Sequence, residues 1–152
     1  MTYTSADARE QLLDAIADAI EELGIALASL SEAYEQADEQ SAERLEQEIF
    51  RPTQIAYGRA QRTHAAFAER HGLSGRTFEQ ALPGAPSRGV KGFLSSAVAA
   101  ISDADRTLAA LQDSMMPIEV GDAELRAGLE QVRELLSGLG ARAEQFVRTL
   151  GR

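Results

Sequence analysis

The sequence predicts an all-α protein, an antiparallel four-helix bundle with long helices and a long loop between the second and third helices, and three observations indicate this fold. Apolar residues recur at alternating steps of three and four along most of the chain, which is the spacing of a helix with one buried face. Gly and Pro separate the later segments. The 152 residues include no cysteine and are 44% hydrophobic, so one core can form without disulfides. We therefore expect a single domain over residues 1–152, with helices over roughly residues 5–37, 41–71, 87–115 and 122–150.

The first predicted helix, residues 5–37, has a continuous apolar seam that its acidic residues avoid. The seam consists of Leu13, Ile16, Ile20, Leu23, Leu27, Leu30, Tyr34 and Ala37. Where this helix ends is the least defined boundary, because residues 38–41 contain neither Gly nor Pro and one helix could run on toward Pro52. We place a break near residues 38–41, since it gives four segments of matching length, as a closed bundle requires.

The third and fourth predicted helices repeat the apolar seam. The third seam consists of Val90, Leu94, Ala97, Ile101, Ala104, Leu108, Leu111 and Met115. The fourth consists of Leu125, Leu129, Val132, Leu136, Leu139, Ala143, Phe146 and Leu150. Ser87 and Asp122 are the predicted N-caps. The connection over residues 116–121 is short enough to require antiparallel neighbours.

The second predicted helix places polar residues where the others place leucine. Its inward face consists of Ile49, Thr53, Tyr57, Ala60, His64, Phe67 and His71. Pro52 removes a backbone hydrogen bond and clashes with the carbonyl four residues earlier, so we expect the helix either to restart there or to kink. On the opposite side, four arginines form a stripe. They are Arg51, Arg59, Arg62 and Arg70.

The connection over residues 72–86 is long for a compact bundle, and such loops are often functional or mobile. We expect Phe78 and Leu82 to cover the end of the bundle from a short turn begun near Thr77. The Gly-rich stretch that follows leads into a helix N-terminus, where free amides attract anions. Ser87, Arg88 and Lys91 are therefore candidate anion-binding residues, although an ordinary capped turn also explains the glycines.

Several kinds of chemistry are excluded by the residue types present. Without cysteine there is no thiolate catalysis and no cysteine-ligated metal. The residues three before His64 and His71 are Gln61 and Ala68, so the Glu-x-x-His motif of di-metal bundles is absent. The two histidines lie about 10.5 Å apart along a helix, too far to share one metal ion. We expect no metal and no cofactor, and the absence of a nucleophile motif favours a non-enzymatic role.

Charge is distributed unevenly in this chain, whose net charge is −9. Residues 1–50 carry thirteen acidic and two basic side chains, whereas residues 51–91 carry seven basic and two acidic ones. The arginine stripe can be solvated, can pair with the acidic first helix within the chain or across a dimer, or can meet an acidic partner. Nucleic acid is disfavoured by the acidic total and by the few aromatic residues beside the stripe. No signal peptide or membrane span is recognisable, which predicts a cytoplasmic protein without a membrane partner.

Two functional hypotheses follow from the second helix and the apolar seams. The first is a non-enzymatic interaction or scaffold protein that self-associates or binds a protein partner through a helix face. The alternative is a small-ligand-binding bundle with a polar pocket at the kinked second helix. Its candidate residues are Thr53, Tyr57, Arg59, His64 and His71.

Overall fold

The computed structural model describes residues 4–84 and 89–150, and within them it confirms the predicted all-α bundle. The helices are α1 (Ser5–Gln36), α2 (Glu39–Leu45), a π-helical turn (Glu46–Phe50), α3 (Arg51–Arg70), α4 (Gly89–Asp113), α5 (Met116–Glu119) and α6 (Ala123–Thr149). None of the helices in these residues is long and apolar enough to span a membrane.

Side-chain caps fix where α1, α2 and α6 begin. Thr4 and Asp7 form a capping box at α1, in which the Asp7 amide donates to Thr4 Oγ1 at 3.1 Å. The break after α1 falls at Ala37 and Asp38, both of which have extended backbone. Asp38 accepts the Ser41 amide at 2.9 Å. A cap without Gly or Pro therefore ends one helix and starts the next.

The second helix of the bundle runs without interruption through α2, the π-helical turn and α3. The widened turn lies just before Pro52, and the Arg51 amide donates to the Glu46 carbonyl, five residues earlier. Because proline has no N–H and its ring collides with the carbonyl four residues back, an α-helical turn is unfavourable there, and one wider turn relieves the collision. The expected restart or kink thus takes the form of a π-helical turn.

The four long helices form a square in which every neighbouring pair is antiparallel. α1 packs on α3 and α4, and α6 packs on the same two helices. The Arg59 guanidinium reaches Gln131 and that of Arg70 reaches Asp122, so α3 and α6 run in opposite directions. α4 and α6 are antiparallel because the connection between Asp113 and Ala123 is short, and the Arg133 contact with Asp105 joins the two helices.

α1 is much closer to α4 than to α3. Three buried alanines of α1, Ala19, Ala26 and Ala33, recur every seven residues. Ala97 and Ala104 of α4 are buried as well. Small side chains let two helices approach closely, and α1 and α4 do so over most of their length, whereas α1 and α3 approach over a shorter stretch.

The connection between α3 and α4, described over residues 72–84, is an extended strap along the side of the bundle. Arg76 pairs with Glu21 at 2.6 Å, and the Gly84 amide donates to Ser29 Oγ at 3.0 Å, so the strap follows α1 toward its C-terminal end. The expectation that Phe78 and Leu82 cover the bundle end was wrong. Phe78 packs against the core from the side, and Leu82 is 82% exposed.

The route of the strap follows from the directions of the helices. α4 is antiparallel to α1 and therefore begins at the end of the bundle opposite the C-terminus of α3. An extended chain covers about 3.3 Å per residue, whereas a helix rises about 1.5 Å per residue. The connection between α3 and α4 is therefore long enough to run back along the whole of α4, which has 25 residues. The predicted turn near Thr77 is absent because the strap must stay extended.

Candidate functional site

The candidate ligand-binding residues of the second helix lie in separate places. Thr53 and His64 are buried in the core, and Tyr57 lies beneath the strap. Arg59 faces α6, and His71 contacts the N-terminus of α6. The structure therefore does not bring these five residues to one pocket.

Thr53 has a structural contact of its own. Its hydroxyl is fully buried and donates to the Ile49 carbonyl at 2.7 Å, within the π-helical turn. A buried hydroxyl with a good acceptor has its hydrogen-bonding requirement met. Thr53 thus stabilises the irregular turn before α3.

His71 belongs to a clasp between α3 and α6 that centres on the Asp122 carboxylate. Arg70 donates to both oxygens of Asp122 at 2.8 Å, His71 Nε2 lies 3.0 Å from Oδ2, and the Leu125 amide donates to Oδ1 at 2.8 Å. Hydrogen bonds from Arg70 above all, and also from Leu125 and His71, lower the pKa of Asp122 far below its ordinary value. This carboxylate is fully engaged in holding the two helices together.

His64 is the unusual member of the set, because it is 3% exposed and its Nδ1 has no hydrogen-bond partner among the described residues. Its ring meets the ring of Phe78 edge-on, with centroids 5.5 Å apart. Burial lowers the pKa of His64, the nearby Arg76 lowers it further, and Asp14 acts in the opposite direction. His64 is therefore a neutral core residue at neutral pH, covered by the strap.

Between α1 and the strap there is an apolar cleft of about 540 Å³, here called the strap cleft. It is lined by Ile20, Glu21, Gly24, Ile25, Tyr57, Arg76, Thr77, Phe78, Glu79, Ala81 and Leu82. A Cβ on Gly24 would lie 3.5 Å from Ala81 Cβ and 3.7 Å from the Tyr57 ring, so glycine lets the strap sit close to α1. The charged residues of the lining are Glu21, Arg76 and Glu79. The rest of the lining is mostly apolar and includes the exposed Leu82.

A second cleft of about 440 Å³ lies on the other side of the strap. It shares Gly24, Tyr57, Phe78 and Ala81 with the strap cleft. The strap therefore crosses the groove between α1 and α3 as a bridge, with Tyr57 beneath it and open space on both sides.

Three arginines of the stripe, Arg59, Arg62 and Arg70, face α6 rather than the acidic α1, whereas Arg51 lies 3.9 Å from Glu46 on its own helix. Arg70 pairs with Asp122 and with Glu124, and Arg59 donates to Gln131 Oε1 at 2.6 Å. A groove of about 390 Å³, here called the arginine groove, lies between α3 and α6. It is lined by Arg59, Arg62, Thr63, Ala66, Arg70, Glu124, Ala127, Gly128 and Gln131.

The candidate anion site at the start of the third helix is only partly visible. Ser87 and Arg88 lie outside the described residues, and Lys91 is exposed in the first turn of α4. Within residues 4–84 and 89–150, no three His, Asp or Glu side chains are grouped closely enough to hold a metal ion.

Sequence reasoning missed two parts of these surfaces. As a large apolar residue, Leu82 is predicted to lie against the bundle end, but the structure leaves it exposed. Gln131 and Gly128 were missed because they lie off the apolar seam of α6. A glycine inside a helical pattern is the one signal that could have indicated close approach at that point.

No protein-family model, no curated protein and no solved structure matches the chain.

Proposed function

We propose that this chain is a non-enzymatic interaction module of the cytoplasm that self-associates through the strap cleft. The supporting observation is the 82% exposure of Leu82 beside an apolar cleft of about 540 Å³. A leucine left this exposed gains about 1.5–3 kcal/mol when it is fully buried. Its burial in a partner is therefore a substantial contribution to association.

A second copy of the chain is the occupant that fits this surface. A two-fold interface brings the same patch of both copies together, so the patch must be complementary to itself. Leu82 supplies a protrusion, and the floor at Gly24 and Ile25 supplies a recess. The lining carries charges of both signs, Glu79 and an Arg76 that also pairs with Glu21 within the chain, so opposite charges can meet across the two-fold axis.

Charge repulsion opposes this association and gives it a distinctive salt dependence. Each copy carries −9, and two such copies repel each other at low ionic strength. Salt screens this repulsion, because the Debye length falls from about 10 Å at 0.1 M to about 3 Å at 1 M. An apolar contact is not weakened by this screening. The dimer should therefore become tighter as salt is raised.

Mass measurement in solution tests the proposal. We expect a dimer in light scattering and native mass spectrometry at micromolar concentrations, with both Leu82→Glu and Leu82→Lys shifting the mass toward monomer. Ile118, 61% exposed on α5, provides the matched control, and Ile118→Glu should leave the dimer intact. A monomer at every salt concentration would overturn the proposal. So would a Leu82→Lys protein that dimerises more strongly than the wild type, because net charge alone would then explain the association.

Binding of a small apolar molecule is a second candidate, favoured by the size of the strap cleft, which lies within the range of about 300–1,000 Å³ typical of small-molecule sites. Native mass spectrometry of protein purified without added ligand distinguishes the two functions. A retained small mass on a monomer supports the ligand, whereas a doubled mass without an adduct supports self-association.

A further inference from the structure

We propose that the arginine groove between α3 and α6 binds the phosphate group of a small phosphorylated molecule. Arg70, which is neutralised by Asp122 and Glu124, shows how an arginine is compensated in this groove. Arg59 and Arg62 line the same groove, and neither forms an ion pair with any residue in the described part of the chain. Two uncompensated cations therefore share one recess of an otherwise acidic protein.

Arg59 is already positioned for a ligand. Its Nη1 donates to Gln131 Oε1 at 2.6 Å, which fixes the guanidinium, while its Nε is buried and has no partner among the described residues. A buried donor without an acceptor costs about 1–3 kcal/mol. An oxyanion that enters the groove and draws the Arg59 guanidinium toward itself removes that cost, because guanidinium groups bind phosphate oxygens through two parallel hydrogen bonds.

Arg62 lies on the same face of the helix, three residues further on. A Cβ on Gly58 would lie 3.4 Å from Arg62 Nη1, so the Arg62 side chain folds back along α3 over a glycine. Both arginines line the arginine groove. Like charges at this spacing repel each other, and a dianion between them relieves the repulsion.

Small side chains provide the space for the ligand. Ala66, Ala127 and Gly128 leave a recess of about 390 Å³, which is within the range for small-molecule sites. The groove is a local region of positive charge in a chain whose net charge is −9. A long polyanion would meet the acidic surfaces beyond the groove, whereas a single phosphate beside Arg59 and Arg62 meets one carboxylate of the lining, that of Glu124, which pairs with Arg70 at 3.0 Å.

Calorimetric titration at fixed ionic strength tests the assignment, with inorganic phosphate, adenosine monophosphate and adenosine as probes. We expect the monophosphate to bind, adenosine not to bind, and inorganic phosphate to bind more weakly. Arg59→Gln and Arg62→Gln should each weaken monophosphate binding roughly tenfold or more, which is what the loss of one charge-assisted hydrogen bond implies. Arg59→Lys keeps the charge without the planar fork and should be intermediate.

Arg142 provides the matched control, since it is an exposed arginine on α6 outside this groove. If Arg142→Gln weakens binding as much as Arg62→Gln, the attraction is diffuse and the proposal fails. It also fails if both groove variants, shown to be folded by circular dichroism, bind the monophosphate like the wild type. Tighter binding of a single-stranded RNA than of the monophosphate at the same salt would overturn it in favour of a polyanion surface.

Discussion

Replacement of Gly128 by alanine tests the packing of α6 against α3. A Cβ at this position would lie 2.5 Å from Thr63 Oγ1 and 2.8 Å from Thr63 Cγ2. Thr63 cannot easily move, because its hydroxyl donates to the Arg59 carbonyl at 2.9 Å and a β-branched side chain has few rotamers. The extra methyl group must therefore separate the helices or break that hydrogen bond.

Gly138 on the same helix provides the reference, since a Cβ there meets nothing within 4 Å. An alanine in place of glycine in a helix interior stabilises by about 1 kcal/mol, and this gain applies to both positions. Overpacking costs about 1–3 kcal/mol and applies only at Gly128. We expect Gly138→Ala to raise the free energy of unfolding by about 1 kcal/mol, and Gly128→Ala to fall about 1–3 kcal/mol below it.

Urea unfolding monitored by circular dichroism measures both variants against the wild type. Adding Thr63→Ala to Gly128→Ala removes the two closest atoms, and the next closest, Thr63 Cβ, lies 3.2 Å from the new methyl group. The double variant should therefore recover part of the lost stability. Equal stabilisation by Gly128→Ala and Gly138→Ala would show that the two helices are not in close contact here.

Two further predictions concern titratable residues. Asp122→Ala should lower the free energy of unfolding at pH 7 by about 1–3 kcal/mol, since it removes both an N-cap and the partner of Arg70. Asp38→Ala, which removes an exposed N-cap without a cation, should cause a smaller loss in the same urea titration. The wild type should lose stability when the pH falls below the ordinary histidine pKa of 6.5, and His64→Leu should not show this loss.

The direction of each pH effect follows from the sign of the pKa shift. The pKa of Asp122 is lower in the folded state, so its contribution is present above the unfolded pKa and is lost as pH falls through the folded one. The difference between Asp122→Ala and the wild type should therefore shrink in acid. The pKa of His64 is also lowered, so the unfolded chain takes up a proton first, and stability falls as pH drops below 6.5. His64→Leu keeps all other titrating groups and therefore provides the reference. If the wild type and His64→Leu lost the same free energy of unfolding between pH 8 and pH 5, the effect would not come from His64.

The apolar seams could be predicted because large aliphatic side chains have a strong preference for the interior. Leu23, Leu94 and Leu129 lie in the core as their spacing required. The close approach of α1 and α4 could not be predicted in the same way. Ala19 and Ala26 lie off the seam of large residues, and alanine is common on both faces of a helix, so its burial depends on how near the next helix comes.

The proposed grouping of five polar residues on the second helix fails for a geometric reason that was accessible from the sequence. Successive residues turn by about 100°, so Tyr57 and Arg59 point to nearly opposite sides of one helix. Tyr57 accordingly faces α1 and the strap, while Arg59 faces α6. Which helix occupies each side could not be deduced, because a helical wheel carries no information about the order of the helices around the bundle.

The strap connects these observations. Because α1 packs closely on α4 through alanines, its other flank is the looser side of the bundle, and there the strap fills the groove toward α3 with Phe78 and Ala81. The same crossing covers His64 with an aromatic ring and leaves Leu82 in solvent. The self-association proposed above would bury this leucine, and it would leave the arginine groove on the opposite side of α3 free for a separate ligand.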